Sequence, residues 1–235
     1  MLYLTLVRHG ETRGNAEQII QSRTGGELTE LGFAMAQALG RSLQDEVFTR
    51  IYSSDLNRCQ QTTKGIVSQI KDQVPEVQYT AQLRERDYGD WEFMPGKVIR
   101  DKMVLEGLPD HKRHHVEVPN GETYEETVAR AGLFFSEICK IIDEAEDGQA
   151  ENILAVSHGI FKMCFMDYLL GNSDLELKNV TVDQFNKVPP NTARTRFSVS
   201  KLKAGDNNNV KRCITFTHVY CAEHLKDVQL DERKH

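Results

Sequence analysis

The sequence lacks a long hydrophobic run and any excess of basic residues. No stretch of about 18 apolar residues occurs, so we predict no transmembrane helix and no membrane partner. A formal net charge of −6 argues against a general nucleic-acid-binding protein. No basic, apolar leader precedes the first strand-like run, which predicts a protein that is not secreted. An anionic ligand would therefore need a local cationic patch on this acidic molecule.

Cysteine is scarce, with five residues at irregular spacing (59, 139, 164, 213 and 221). An odd, irregular set does not indicate the framework of a disulfide-stabilised domain. Together with the missing leader, it is typical of a reducing compartment, and we predict a cytoplasmic protein. We find no convincing cluster of Cys, His and acidic residues at the spacing of a metal site, so we expect neither a metal nor another cofactor.

Strand-like and helix-like segments alternate along the chain. Apolar runs of strand length lie at 4–7, 50–53, 77–83 and 153–156, and helical periods follow at 29–43, 56–70, 97–105, 122–142 and 161–170. Asp55 is expected to cap the second of these helices. The alternation predicts an α/β fold with three layers, in which helices flank a mainly parallel sheet. Two later strands, 197–202 and 214–219, are expected to add an antiparallel hairpin at an edge.

The length and composition fit one globular domain. With 39% hydrophobic and 27% charged residues, the chain is expected to form a single domain over residues 1–235. Within it, residues 93–120 are predicted to be a lid or insertion, of which 107–120 form an exposed excursion. The charged residues 226–235 are predicted to be a frayed tail. The oligomeric state is not predicted.

Two of the strand-like runs end in the same dipeptide. The run LTLV leads through Arg8 to His9-Gly10, and the run ILAV leads to His158-Gly159. In an open parallel sheet, ligands bind at the carboxyl ends of the strands. If these two strands are neighbours, they deliver two imidazoles to one pocket. A lone histidine is more often structural, but the repeated pair is the strongest indication of function.

Two further segments carry charged groups suited to an anion. Arg58 lies in the first turn of a helix, where a guanidinium can bind a phosphate with the help of the helix N-terminus. The run Arg84-Glu85-Arg86 places a carboxyl group between two cations. The alternatives are a solvated helix arginine and a surface ion-pair cluster, respectively.

Five motifs occur in an order that resembles a known superfamily. They are LVRHGET, SSDLNRCQQT, LRERDYGDWE, NGET at 120–123 and VSHG. Together they resemble the histidine phosphatase (phosphoglycerate mutase-like) superfamily over residues 4–160. Within it, the segments ETRGNAEQIIQ and LRERDYG, with the late Pro190-Asn191-Thr192, are most similar to the TIGAR-type fructose-2,6-bisphosphatases.

The resemblance implies a phosphohistidine mechanism without a cofactor. His9 would be the nucleophile, and Arg8, Arg58 and His158 would surround the transferring phosphoryl oxygens. Glu85 would protonate the leaving oxygen and then take a proton from the attacking water.

Other residues are predicted to hold the rest of the substrate. The resemblance implies a phosphate contact for Asn15. The remaining candidates, for several of which a charged rim without a substrate role is an equal alternative, are Thr12, Gln21, Arg84, Arg86, Tyr88, Lys97, Gly159, Asn191 and Thr192. Phe93 stands where the superfamily commonly has glycine, and this departure leaves the substrate open.

Three functions are compatible with the motifs. The first is a phosphatase that hydrolyses a small phosphorylated metabolite, in particular fructose 2,6-bisphosphate at its 2-phosphate, and releases orthophosphate. The second is a 2,3-bisphosphoglycerate-dependent phosphoglycerate mutase or bisphosphoglycerate phosphatase. The third is a catalytically silent binding module. A phosphoprotein substrate also stays open.

Overall fold

A computed structural model describes residues 1–24, 26–109, 114–144, 150–201, 212–226 and 228. The strands are β1 (Leu2–Arg8), β2 (Arg50–Ser54), β3 (Val77–Thr80), β4 (Glu151–Ser157), β5 (Leu175–Lys178), β6 (Arg194–Lys201) and β7 (Arg212–Cys221). The α-helices are α1 (Arg13–Ala16), α2 (Glu30–Ser42), α3 (Asn57–Val67), α4 (Lys97–Glu106), α5 (Tyr124–Glu144) and α6 (Gly159–Gly171). No helix within these ranges is long and apolar enough to cross a membrane.

The described strands form one seven-stranded sheet in the order β3-β2-β4-β1-β6-β7-β5. The first four strands in this order are mutually parallel, and β6 pairs antiparallel with both β1 and β7. The mainly parallel sheet and the antiparallel pair are therefore confirmed. The short strand β5, which was not predicted, lies outside the pair and runs parallel to β7. The connection predicted between the two strands of this hairpin, at residues 203–211, lies outside the described residues.

Strand β1 is buried on both faces of the sheet. Leu4 and Leu6 join the core cluster that contains Phe134 of α5 and Phe165 of α6. Val7 points into the opposite cluster, which is formed with α2 and α3. This two-sided burial explains why the strand reads as a continuous apolar run rather than an alternating one. The result is the predicted three-layer arrangement of helices, sheet and helices.

Three local predictions are wrong or need correction. Asp55 does not cap α3, because Leu56 occupies the N-cap position and makes no side-chain cap. The strand predicted over 77–83 ends at Thr80 and continues as a 3₁₀ turn. Within the predicted exposed excursion, His114 and Val116 are buried, since they pack with the segment that carries Tyr88.

Candidate active site

The ends of β1 and β4 bring the two predicted imidazoles together. The strands are parallel neighbours, with Arg8 opposite Ser157 in the register. The His9 amide donates to the Ser157 carbonyl over 2.9 Å, and the two histidine rings lie 5.2 Å apart between centroids. His158 is also the N-cap residue of α6. Two residues that are 149 positions apart thus share one pocket because their strands pair in register.

The ring of His9 has a defined tautomer. Its Nδ1 lies 2.7 Å from the Gly10 carbonyl oxygen, which can only accept, so the proton resides on Nδ1 and Nε2 keeps a lone pair. Burial, reinforced by the charges of Arg58 and Arg8, lowers the pKa of His9 well below its usual value. His9 is therefore a neutral imidazole at pH 7, with its nucleophilic nitrogen available.

Arg58 holds the second histidine. Its buried guanidinium donates through Nε to His158 Nδ1 over 3.0 Å and through Nη1 and Nη2 to the carbonyls of Thr24 and Ser22 over 2.6 and 2.9 Å. Because His158 Nδ1 accepts, the proton of that ring lies on Nε2, which is 2.9 Å from Ser54 Oγ. Burial and the adjacent Arg58 charge lower the pKa of His158 well below its usual range.

The two buried histidines predict a pH-dependent stability. The pKa values of both histidines are lower in the folded protein than in the unfolded chain. Their contribution to the unfolding free energy is therefore complete above the unfolded pKa of about 6.5, and it is lost as the pH falls below that value. We expect the unfolding free energy to fall by about 1.4 kcal/mol per pH unit for each histidine in that range. Urea denaturation at pH 7.0 and 5.5 measures this. His158→Gln should have a shallower dependence, and an unchanged slope in that variant would contradict the assignment.

Arg8 contributes the second guanidinium of the pocket. Its Nη1 donates to the Pro189 carbonyl over 2.7 Å, while its buried Nε has no hydrogen-bond partner among the described residues. Burial lowers the pKa of Arg8 to about 10, which leaves the group charged at pH 7. Gly159 lies against it: a Cβ at this position would be 3.3 Å from Arg8 Nε and 2.9 Å from Val188 Cγ1. A glycine here leaves room for the guanidinium.

Glu85 is held at the start of α6. Its carboxylate oxygens accept from the amides of Phe161 over 2.8 Å, Ile160 over 3.1 Å and Arg86 over 3.0 Å. The main-chain carbonyl of Glu85 accepts from Arg130 Nη2 over 3.3 Å. The helix that begins beside His158 therefore also fixes the carboxyl group, because the free amides of its first turn need acceptors.

Four predicted substrate residues form a network behind His9. Asn191 Nδ2 donates to the His9 carbonyl over 3.1 Å and to Asn15 Oδ1 over 3.0 Å. Asn15 Oδ1 also accepts from the Thr12 amide over 3.2 Å, as part of a capping box on α1. The Thr12 hydroxyl in turn donates to Gln21 Oε1 over 3.1 Å. The polar side chains after β1 are thus oriented by one another.

Thr192 supports the same carbonyl from the main chain. Its amide donates to the His9 carbonyl over 3.2 Å, and its backbone is in the left-handed region at φ 55°. The Thr192 hydroxyl lies 2.8 Å from His224 Nε2. Thr192 therefore reaches the site through its backbone, while its side chain contacts the chain's last described turn.

Two predicted substrate residues lie in the interior instead. Arg86 is fully buried and donates to the main-chain carbonyls of Glu122, His114 and Val116. Tyr88 is 3% exposed, with its hydroxyl 3.4 Å from His114 Nδ1. Both side chains hold the 114–122 segment in place, so the prediction that they face a ligand is corrected.

Lys97 is a third predicted residue that the structure leaves apart. It lies exposed in the first turn of α4. No hydrogen bond or ion pair within the described part of the chain joins it to the histidines, the two arginines or Glu85.

Replacing Arg86 with methionine is expected to destabilise the fold by about 3 kcal/mol or more, because buried carbonyls lose their charged donor. The change in unfolding free energy is measured by urea denaturation. Arg84→Met, at an exposed guanidinium, is the matched control and should shift the midpoint little. Equal effects for the two variants would contradict the interior role of Arg86.

A cleft of about 540 Å³ opens beside Glu85. Its guanidinium groups are each paired with a carboxylate: Arg84 with Asp55 over 2.5 Å, Arg130 with Glu122 over 2.7 Å, and Arg23 with Asp87. In the described ranges, no group of three or more His, Cys, Asp or Glu side chains is placed to hold a metal ion.

Several residues around the site were missed from the sequence. Ser54 and Cys59 flank His158, with Cys59 Sγ 3.3 Å from His158 Nε2. Thr62 Oγ1 accepts from the Gly10 amide over 2.9 Å. Arg130 donates to the carbonyls of residues 82, 84 and 85. All except Arg130 lie in or directly beside the quoted motifs, but nothing in the sequence separates them from ordinary buried polar residues.

Known proteins resemble this chain in sequence. The sequence model of the Histidine phosphatase superfamily (branch 1) matches residues 4–202. The chain belongs to this superfamily. It is 32% identical to the fructose-2,6-bisphosphatase TIGAR of Bos taurus, over 90% of this chain and 93% of that protein. It is also 32% identical to a 2,3-bisphosphoglycerate-dependent phosphoglycerate mutase of Cytophaga hutchinsonii, over 68% of this chain and 73% of that one.

Two solved structures share the fold. A phosphoglycerate mutase from Bacillus anthracis str. Sterne superposes with a TM-score of 0.74 at 21% identity, and the match covers 95% of both chains. A structure titled Bacillus stearothermophilus YhfR superposes with a TM-score of 0.67 at 25% identity, over 93% of this chain and 95% of that one. The phosphoglycerate mutase-like fold expected from the motifs is therefore confirmed.

Proposed function

We propose that the protein hydrolyses phosphate monoesters through a phosphohistidine formed on His9. The observation that carries this proposal is the convergence of a neutral imidazole, two guanidinium groups and a carboxyl group on one pocket. Nε2 of His9 keeps its lone pair because Nδ1 donates to Gly10. Arg8 and Arg58 supply positive charge for the phosphoryl oxygens. His158, whose ring lies 5.2 Å from that of His9, is held beside them by Arg58 and Ser54.

In the first step, His9 Nε2 attacks phosphorus and the bond between phosphorus and the ester oxygen breaks. Glu85, protonated in the bound complex, gives its proton to the leaving oxygen. In the second step, water attacks the phosphohistidine and Glu85 takes the proton of that water. Orthophosphate leaves, and His9 returns to the neutral form. The backbone donors at the start of α6 keep the Glu85 carboxyl group oriented throughout.

The remaining predicted contacts belong to the same proposal. Asn15 and Gly159 border the phosphoryl pocket, while Thr12, Gln21 and Asn191 orient its wall. Arg84 lines the cleft and is exposed, so it contacts the distal part of the substrate. The substrate we propose is a small sugar phosphate, in particular fructose 2,6-bisphosphate hydrolysed at position 2. Support comes from the similarity to TIGAR over most of both chains.

A panel of phosphate esters tests the substrate. Orthophosphate release is measured with fructose 2,6-bisphosphate, fructose 1,6-bisphosphate, 2,3-bisphosphoglycerate, 3-phosphoglycerate and a phosphopeptide. We expect the highest kcat/KM for fructose 2,6-bisphosphate, with fructose 6-phosphate as the second product. A preference for a phosphoglycerate or the phosphopeptide would overturn the sugar assignment while leaving the phosphohistidine chemistry intact.

The alternative is a mutase reaction, which the similarity to the Cytophaga hutchinsonii protein favours. The same phosphohistidine would then return its phosphoryl group to a substrate rather than to water. Exchange between 2- and 3-phosphoglycerate, primed with 2,3-bisphosphoglycerate, measures this directly. Hydrolysis without exchange would discard the mutase, and the absence of both would favour the binding module.

A further inference from the structure

Lys162 is a buried cation in an apolar stretch of α6. Its side chain has no exposed surface, and the residues on either side, Phe161 and Met163, are buried as well. Taking an ammonium group out of water is costly unless its protons find acceptors. A lysine at this depth therefore needs a specific reason for its position.

The partners of the ammonium group are main-chain atoms beside the active site. Nζ donates to the Leu6 carbonyl over 2.9 Å and to the Ala193 carbonyl over 2.7 Å. It also lies 5.3 Å from the centre of the Tyr220 ring, close enough for a cation–π contact. The charged group that acts on it is Arg8, a cation, and no carboxylate of the described residues compensates its charge.

The carbonyls of Leu6 and Ala193 belong to β1 and to the 189–193 segment, which together hold Arg8 and His9. Ala193 O also accepts from the Arg8 amide over 3.2 Å, and Leu6 precedes Arg8 by two residues on β1. From the same segment, the Thr192 amide donates to the His9 carbonyl over 3.2 Å. The ammonium group thus connects β1 to the 189–193 segment. The connection lies next to the backbone hydrogen bonds by which that segment holds Arg8 and His9.

The positive charges of Lys162 and Arg8 have different energetic effects in a pocket with and without a bound anion. When Lys162 is protonated and the pocket is empty, Lys162 and Arg8 repel each other across a medium of low dielectric constant. A bound phosphoryl group or another tetrahedral dianion attracts both and offsets that repulsion. The charge on Lys162 therefore stabilises the occupied pocket more than the empty one.

We propose that Lys162 is a positioning residue of the phosphoryl site, which in its protonated form ties β1 to the 189–193 segment and adds a positive charge near Arg8. The inference deepens the function proposed above and rests on it for the identity of the reacting group. The proposed role affects anion binding as well as turnover. It can therefore be tested by measuring anion binding without a substrate.

The experiment measures binding of tungstate, a tetrahedral dianion, by calorimetry and by the increase in thermal midpoint that it causes. Lys162→Met is expected to weaken tungstate binding about tenfold at pH 7 and to shrink the midpoint increase, because the buried charge is gone. Lys162→Arg keeps the charge and should bind within about threefold of the wild type. Met166→Ala, a core truncation on the same helix, should lower the midpoint itself but keep the tungstate affinity.

The pH dependence separates a charge effect from a structural one. Burial and Arg8 lower the pKa of Lys162, so its proton is lost as the pH rises through the folded pKa, and tungstate binding should weaken there. The groups that face Nζ are Arg8 from β1 and Tyr220 from β7. Lys162→Arg should keep its affinity to higher pH than the wild type.

Wild-type affinity and pH dependence in Lys162→Met would overturn the proposal. If that variant fails to fold, the comparison of wild type with Lys162→Arg decides, since identical pH profiles in these two would also overturn it. Tungstate binding that depends on Lys162 in a protein that hydrolyses no ester would uphold the positioning role and refute the proposed function instead.

Discussion

Replacing His9 with alanine is expected to lower kcat by about 10⁴-fold or more, because the attacking nitrogen is removed and water is a poor substitute in that geometry. The arginines that bind the anion stay in place. Orthophosphate release gives the rate. Rapid quenching with a labelled substrate, followed by alkaline denaturation, detects the phosphohistidine, and the label should be absent from the variant.

The control for this variant is His115→Ala, at a half-buried histidine that stacks on Tyr124 away from the pocket. It should keep both the rate and the trapped label. The His9→Ala protein should still bind tungstate, since Arg8 and Arg58 are unchanged. Labelled protein in the His9→Ala variant would place the phosphoryl group on another residue and overturn the mechanism.

Replacing Glu85 with glutamine is expected to slow hydrolysis of a sugar phosphate by about 10²- to 10⁴-fold, the range for losing a general acid. An alkoxide leaving group needs the proton, whereas p-nitrophenolate does not. With p-nitrophenyl phosphate, the rate of the first step in the variant should therefore fall by about tenfold or less. The ratio of kcat/KM in the variant to kcat/KM in the wild type is determined for each substrate, and the two ratios are compared.

Glu126→Gln is the matched control for this pair of substrates. Glu126 also lines the cleft, but its carboxylate accepts from Thr123 at the start of α5 rather than from α6. We expect both substrates to react at near wild-type rates in this variant. Equal losses for the two leaving groups in Glu85→Gln would show that the carboxyl group acts by orientation alone, and would reject its acid role.

The parts of the site that were predictable from the sequence are those that follow from strand position. The two His-Gly pairs end buried apolar runs, and parallel neighbours end at one edge, so the meeting of His9 and His158 followed once the strands were recognised. Arg58 was predictable for a related reason, since the first turn of a helix after a strand lies at that same edge.

The positions that could not be predicted depend on tertiary packing. Arg86 and Tyr88 lie in an irregular segment, where no periodicity tells an inward side chain from an outward one. Strand β5 is a half-exposed run of four residues, too short for an alternation to stand out. Lys162 is the only charged residue in the run IFKMCFM, a signal that was visible, but the sequence alone did not show what its ammonium group contacts.

The way in which Arg58 is anchored affects which exchanges the loop around it tolerates. Two of its contacts are carbonyls of Ser22 and Thr24, groups that every amino acid possesses. Side chains in that loop, Arg23 among them, can therefore be exchanged during evolution without removing the acceptors on which the arginine depends. Under the proposed function, exchanges in this loop would alter substrate preference while Arg58 keeps its acceptors.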